Sequence, residues 1–363
     1  MSNQNPNKVL FLINSAPEFA GVQRYILNAA KGLKTSDWNV VVWLNKNPSF
    51  AQKLNENQIP YYEYSGSVLS LKNLLTLLVS IRHNKIQVLH ANLGGSAIAG
   101  ALLKYPAGIK RLVFTQHFLR PASSQSNFLK KFLAKIIFKF SFYFFDQCIA
   151  ISNEVKKQML DRKEVSLQKI TVIFNGSEEL KGDINRNKIP DILIVSRLQK
   201  EKGIEEILPV FTALKQQGLI FKVNIVGTGE LETVLKKKCR ELGLTDIIIF
   251  AGLVNNVIPY YFQSSIFLNP TLLEGFGLAI IEAMSARLPV IAYAYGGPLD
   301  IVDDGKTGFL VHNIKEMTTS LKQLIEDKNL REQMGEEGYT RFKSLFSLDI
   351  MIEKLLKIYQ GIQ

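Results

Sequence analysis

Two doubly wound α/β domains, each built on a parallel sheet and facing one another across a cleft, are the fold this sequence predicts. Three observations carry that expectation. At 363 residues the chain exceeds what one ordinary core fills and suits two domains. Short continuous apolar runs alternate with helical apolar patterns, as expected of buried parallel strands joined by crossover helices. The alternation stops at a polar, aperiodic stretch, 177–190, and then starts again.

In chain order, 8–14, 38–44, 87–92, 111–116 and 147–152 read as strands. Between them 22–33, 69–83, 96–104, 128–145 and 153–161 read as helices. A last strand, 170–174, ends at the turn signal Asn175-Gly176. After the linker, strands are expected at 191–196, 221–226, 246–250, 265–269, 289–292 and 309–311. Helices are expected near 203–217, 229–242, 278–286 and 314–327, and 344–359 reads as an amphipathic helix. The domains are accordingly 1–178 and 190–345, followed by a helical tail, 346–363. Ligands of such sheets bind outside the carboxyl ends of the strands, so the loops following strands hold the candidate chemistry.

The composition, 47% hydrophobic and 21% charged, is that of a folded soluble protein. The start is polar, the apolar run 9–13 is too short for a signal-peptide core, and no 18-residue apolar stretch spans a bilayer. Cys148 and Cys239 fall in different domains and read as reduced thiols, so a cytoplasmic enzyme is expected. Charge is uneven: residues 1–180 hold 22 Lys and Arg against 10 Asp and Glu, whereas 181–363 hold 22 against 22. An acidic partner for the first domain follows: phospholipid headgroups, a lipid diphosphate or nucleic acid. Nucleic acid is the weakest of these, because the basic residues accompany an apolar stripe and no recognised reading module is present.

The most informative motif is Glu274-Gly-Phe-Gly-Leu-Ala-Ile-Ile-Glu282. Gly275 and Gly277 let bare amides approach an anion, and a helix starting near Leu278 aims its positive end there. With part of the span in a loop, the two carboxylates can flank a diphosphate and accept hydrogen bonds from sugar and ribose hydroxyls. Taken alone, the pair fits a surface glutamate pair at a helix start equally well. Arg197 and Lys202 lie in the turn after the first strand of the second domain, where they can neutralise a diphosphate or simply be solvated. Val226-Gly227-Thr228-Gly229-Glu230 is a glycine-rich strand end lacking the third glycine of a dinucleotide fingerprint, so it is a phosphate contact or a tight turn. Gly21 and Arg24 offer the same two readings in the first domain. His117 follows a buried strand and is a candidate for contact with a reacting group; His90 is placed similarly. No His, Cys, Asp or Glu cluster has metal-ligand spacing, so neither a metal nor any other cofactor is expected. In 128–145, Lys131, Lys135 and Lys139 align on one helical edge with Lys130 beside them, among aromatic and aliphatic residues. That pattern suits a helix at an anionic membrane interface, with 140–145 mostly in the core, or a buried crossover helix with a solvated edge.

Together these residues resemble the retaining glycosyltransferases of family four, which have the two-domain GT-B architecture. The resemblance is strongest between Asp191 and Val311, where Arg197…Lys202-Gly203, Gly227-Thr-Gly-Glu230, Glu274-Gly-Phe-Gly…Glu282 and Gly296-Gly297-Pro298…Gly305…Gly308 occur in family order. It implies that Arg197 and Lys202 neutralise a donor diphosphate that departs without a metal. Glu274 would hold donor-sugar hydroxyls and Glu282 the ribose, assisted by amides from Gly275, Phe276, Gly277 and Leu278. Gly21 and Arg24 would face the phosphates, His117 would sit beside the anomeric carbon, and the last helix would cross back onto the first domain. Asn92 stands where many members have a second histidine, and Phe118 follows His117 where aspartate is common. The expected activity is metal-independent transfer from a UDP-sugar, ahead of GDP-mannose, to a saccharide or lipid-linked acceptor in envelope polysaccharide assembly, at the inner face of the membrane. A same-fold nucleotide-sugar epimerase and an inactive membrane-docked subunit are the alternatives.

Overall fold

The computed structural model describes residues 7–14, 21–119, 136–186 and 189–362. The chain divides into two compact units: residues up to Gly176 together with those from Leu348 onward, and Ser177–Ser347.

The first unit holds a seven-stranded sheet in the order β3-β2-β1-β4-β5-β6-β7, with every pair parallel. The strands are β1 (Lys8–Ile13), β2 (Asn39–Asn45), β3 (Tyr61–Tyr64), β4 (Val88–Asn92), β5 (Arg111–Gln116), β6 (Gln147–Ala150) and β7 (Ile170–Val172). Helices cover both faces, so β1 is an unbroken apolar run whose Val9–Ile13 are fully buried. Strand order reverses between β1 and β4, which places the loops after those strands at a topological switch point. The Leu348–Gln360 helix packs on the Gly21–Lys34 helix, where a Cβ on Gly32 would meet Ile352 Cγ1. Its Tyr359 hydroxyl lies 2.6 Å from His90 Nδ1, and Arg111 Nε donates to the Ile358 carbonyl at 3.0 Å.

The second unit repeats the design with six parallel strands in the order β10-β9-β8-β11-β12-β13. These are β8 (Asp191–Val195), β9 (Lys222–Val226), β10 (Ile248–Gly252), β11 (Ile266–Asn269), β12 (Val290–Tyr293) and β13 (Gly308–Val311). Here the reversal falls between β8 and β11.

The structure adds elements the apolar pattern does not announce. β3 is an edge strand with Tyr62 and Glu63 exposed, so it lacks a continuous buried run. The Pro48–Glu56 helix is started by Asn47, whose side chain accepts from the Phe50 amide at 3.0 Å. The Lys328–Arg341 helix is polar and carries Gly335 and Gly338. Both are buried, and a Cβ on Gly335 would collide with the Arg287 carbonyl. The expected helix 128–145 is corrected where it is described: helix persists over 136–141, then tightens to a 3-10 turn at Phe142–Phe144. Among its described residues Ser141, Phe142 and Phe145 are buried, the two rings 5.0 and 5.8 Å from that of Phe114, while Phe140 and Tyr143 are exposed. Lys139 is exposed; Lys130, Lys131 and Lys135 lie outside the described residues.

Candidate active site

The loops that follow β8 and β11 meet at the switch point of the second unit. After β8 the chain forms a 3-10 turn, Lys200–Lys202, and leaves it through Gly203 at φ 68°. A Cβ there would lie 2.2 Å from the Pro270 carbonyl oxygen, so only glycine lets this turn rest against the chain leaving β11. The close approach puts Lys202 Nζ 3.2 Å from Glu274 Oε2, each side chain about one-fifth exposed (20% and 21%). The pair is shielded enough to be ordered and open enough to meet a ligand. It engages one of the ammonium's three N–H groups.

Glu274 leads into a bend through Gly275 and Phe276, and Gly277, at φ 117°, opens the Leu278–Ser285 helix. No side chain caps that helix, so its opening amides and the positive end of its dipole face outward from the bend. The Phe276 ring is buried edge-on to Phe346 at 6.0 Å, which leaves only its backbone for a ligand. The bend is braced by the chain after β12: Gly297 N–H donates to the Glu274 carbonyl at 2.8 Å. Glu282 lies one helix face inward, 7% exposed, and its Oε2 accepts from the Tyr261 hydroxyl at 2.9 Å. The two glutamates are therefore not a solvated surface pair. One is salt-bridged at the loop, the other is held in the interior by a phenol. Tyr261 is the residue sequence reading missed; its short helix, Ile258–Gln263, has no periodic signature to flag it.

The remaining motif residues fall differently. Arg197 shares the β8 loop but is 47% exposed, with its guanidinium 3.9 Å from Glu201. Gly227, at φ 132°, would drive a Cβ to 1.9 Å from the Ser196 carbonyl oxygen, and Gly229 to 2.4 Å from that of Leu198. These two glycines are fully accounted for by the tight packing of the β9 loop on the β8 loop. Among the described residues, no group of three or more His, Cys, Asp or Glu side chains gathers as a metal site requires.

In the first unit Gly21 opens the Gly21–Lys34 helix with no described residue within 4 Å of where a Cβ would stand, and Arg24 stands half-buried in the first turn. His117 follows β5 directly and is buried, with Nε2 2.8 Å from Asn92 Oδ1. The Asn92 amide donates to the His90 carbonyl at 3.0 Å and the Leu12 carbonyl at 3.5 Å, which turns its oxygen toward the histidine. His117 therefore carries its proton on Nε2. Burial pushes its pKa down to about 3, so it is a neutral imidazole at any working pH. His90 is fully buried between the Tyr359 and Thr115 hydroxyls, each 2.6 Å away. Burial, then the charge of His117, lowers its pKa to about 3 as well; this is a structural histidine.

Both halves of the chain match known families. Residues 177–341 match the family described as "Glycosyl transferases group 1", and residues 19–178 match "Glycosyltransferase Family 4". The chain is 27% identical over 308 residues to the Staphylococcus aureus capsular polysaccharide biosynthesis glycosyltransferase CapM, covering 80% of each chain. It is 23% identical over 370 residues to the Escherichia coli UDP-Gal:alpha-D-GlcNAc-diphosphoundecaprenol alpha-1,3-galactosyltransferase, covering 94% of each. Among solved structures, HepE of Anabaena in complex with UDP superposes with a TM-score of 0.84 at 18% identity, over 98% of this chain and 100% of that one.

Proposed function

Because the chain belongs to glycosyltransferase family 4 and has the GT-B fold, we propose that it transfers a sugar with retention, and without a metal, from a nucleotide-diphosphate donor. A UDP-sugar is favoured over a GDP-sugar: UDP and UDP-glucose occupy structures of HepE, and the E. coli relative is named for UDP-Gal. The acceptor is a saccharide or lipid-linked saccharide of an envelope polysaccharide, the class suggested by the names of CapM and the galactosyltransferase.

One observation carries this reading: the Lys202–Glu274 pair stands at the switch point where an uncapped helix begins. A leaving diphosphate needs fixed positive potential. Two N–H groups of Lys202 and the amides from Gly275 to Leu278 supply it, with Arg197 adding a more exposed charge. Glu274, oriented by Lys202, takes hydroxyls of the donor sugar, and Glu282, oriented by Tyr261, takes the ribose. Gly227 and Gly229 shape the wall behind them. As the anomeric carbon–oxygen bond breaks, the acceptor hydroxyl attacks the same face and its proton passes to a phosphate oxygen. Within the first unit, neutral His117, Gly21 and Arg24 are the residues proposed for the acceptor side.

The test is calorimetric titration with UDP and GDP, followed by proton NMR of the product formed with the preferred donor. Tight UDP binding and an anomeric proton coupling that shows the same configuration in product and donor support the reading. An inverted product removes retention, and a donor epimerised without transfer replaces the reading by the epimerase alternative.

A further inference from the structure

The basic excess of the first unit has an unusual distribution. Residues 64–145 contain eleven Lys and Arg and no Asp or Glu at all. The helices in this stretch follow β3, β4 and β5, and right-handed crossovers place them side by side on one face of the sheet. The packing agrees: a Cβ on Gly94 would touch the Phe138 ring at 3.4 Å, and the Tyr105 and Phe144 rings are 6.2 Å apart.

The outside of this layer is apolar where a solvated helix would be polar. On the Leu71–His83 helix, Leu71, Leu75 and Val79 form a stripe at i, i+4 and i+8, with Leu71 73% exposed. The Gly94–Leu103 helix ends in exposed Leu102, followed by exposed Tyr105. In the third segment Ile136, Ile137, Phe140 and Tyr143 are exposed, Tyr143 by 76%. The helices of the opposite face, Gly21–Lys34, Pro48–Glu56 and Leu348–Gln360, expose no large apolar side chain. Cations border the apolar surface. Lys72, Arg82 and Lys139 are exposed, and Lys169 donates to the Tyr143 carbonyl at 3.0 Å with its ammonium 5.6 Å from that ring.

We infer that this helical layer is a bilayer-docking face for anionic lipid. Aliphatic stripes enter the headgroup boundary, Tyr105 and Tyr143 sit at its level, and the basic residues meet the lipid phosphates. A polyanion in water, such as nucleic acid, would use the cations and leave the leucine stripe unexplained. The Leu71–His83 and Gly94–Leu103 helices and the segment 136–145 carry no carboxylate, so none of them repels the lipid. The inference does not rest on the donor chemistry proposed above. It widens the expected contact from 128–145 to the Leu71–His83 helix, a part of the chain with no basic-aromatic motif.

The test is co-sedimentation of the whole protein with vesicles of phosphatidylcholine alone and of phosphatidylcholine mixed with phosphatidylglycerol. The wild type is expected to pellet with the mixed vesicles and remain in solution with the neutral ones. Leu75→Glu combined with Tyr143→Glu should weaken that binding about tenfold or more at an unchanged thermal midpoint, as should Lys72→Glu combined with Lys139→Glu. Lys53→Glu, on the opposite face, should not. The charge-reversal variant decides the matter if the apolar one fails to fold. Absence of vesicle binding by the wild type overturns the inference. So does a dimer, seen by sedimentation velocity, that Leu75→Glu dissolves, for the face is then an interface between copies. UDP titration of the same variants keeps the outcome separate from the fate of the donor site.

Discussion

Gly297→Ala tests whether the bend at Glu274–Gly277, proposed to bind the donor, is held by backbone contact. Gly297 has φ −59°, a conformation alanine adopts freely, so the change introduces no dihedral strain. By its effect on the unfolded chain alone, alanine would stabilise by about 0.4–1 kcal/mol. The added methyl, however, would lie 2.2 Å from both the Cα and the carbonyl oxygen of Phe276. Relief to an ordinary contact needs a shift of about 1 Å, and the atoms that must move are backbone. The same strand of chain is tied by Gly297 N–H to the Glu274 carbonyl at 2.8 Å, so Glu274 is displaced with it. A misplacement of about 1 Å costs on the order of 100-fold in rate, or about 2.7 kcal/mol of transition-state stabilisation. The assay is release of UDP from the donor in the presence of acceptor, with the thermal midpoint measured alongside. We expect kcat/KM to fall about 100-fold and the midpoint to fall as well. A variant as stable as wild type that keeps activity within about threefold would show that the bend is not positioned by this contact.

Lys202→Ala removes the ammonium beside Glu274 and should lower turnover at least about tenfold, or ~1.4 kcal/mol, in steady-state kinetics; unchanged kinetics would take Lys202 out of the site. Tyr261→Phe deletes the hydroxyl that donates to buried Glu282 while keeping the ring, and calorimetry should show UDP affinity lower by about tenfold. The histidines set an acid limit on stability. With folded pKa values of about 3 for His90 and His117 against 6.5 unfolded, the unfolded chain binds protons that the native state refuses. Stability is therefore lost as pH falls below about 6.5, by roughly 3 kcal/mol per histidine at pH 4.5 relative to neutral pH. Urea unfolding at pH 7 and 4.5 measures this; a midpoint that does not move would place the imidazoles in contact with water.

The fold was legible because a parallel sheet covered on both faces writes itself as apolar runs, and β1 and β5 match the expected positions nearly residue for residue. What escaped lacked that signature. β3 is half solvated, and the Lys328–Arg341 helix carries Gly335, whose close packing against the Arg287 carbonyl exists only in three dimensions. At the site, the approach of Lys202 to Glu274 joins residues 72 positions apart and was suggested by motif order. The burial of Glu282 against Tyr261 was not, because the partner sits on a six-residue helix. Asn92 read as a departure from a pattern; the structure gives it a physical task, orienting the proton on His117.

The motif glycines of the second unit invite a single explanation, approach of a phosphate to bare backbone, yet the structure assigns most of them a different first duty. Gly227 and Gly229 seat the β9 loop on the β8 loop, Gly203 seats the β8 loop on the chain leaving β11, and Gly297 seats the β12 loop on the bend at Phe276. Those are four neighbouring strands in the sheet, so their exits form one continuous stack joined backbone to backbone. Side-chain contacts could relax by changing rotamer; backbone stacked on backbone at glycine has no such freedom. A site that stabilises a departing diphosphate with an ammonium and helix amides gains from groups that are already in place before charge develops. Rigidity of the stack, more than exposure of any one amide, is then the reason these positions must be glycine. It also explains how Lys202 and Glu274, each carried on a loop, can be held as firmly as residues on a strand.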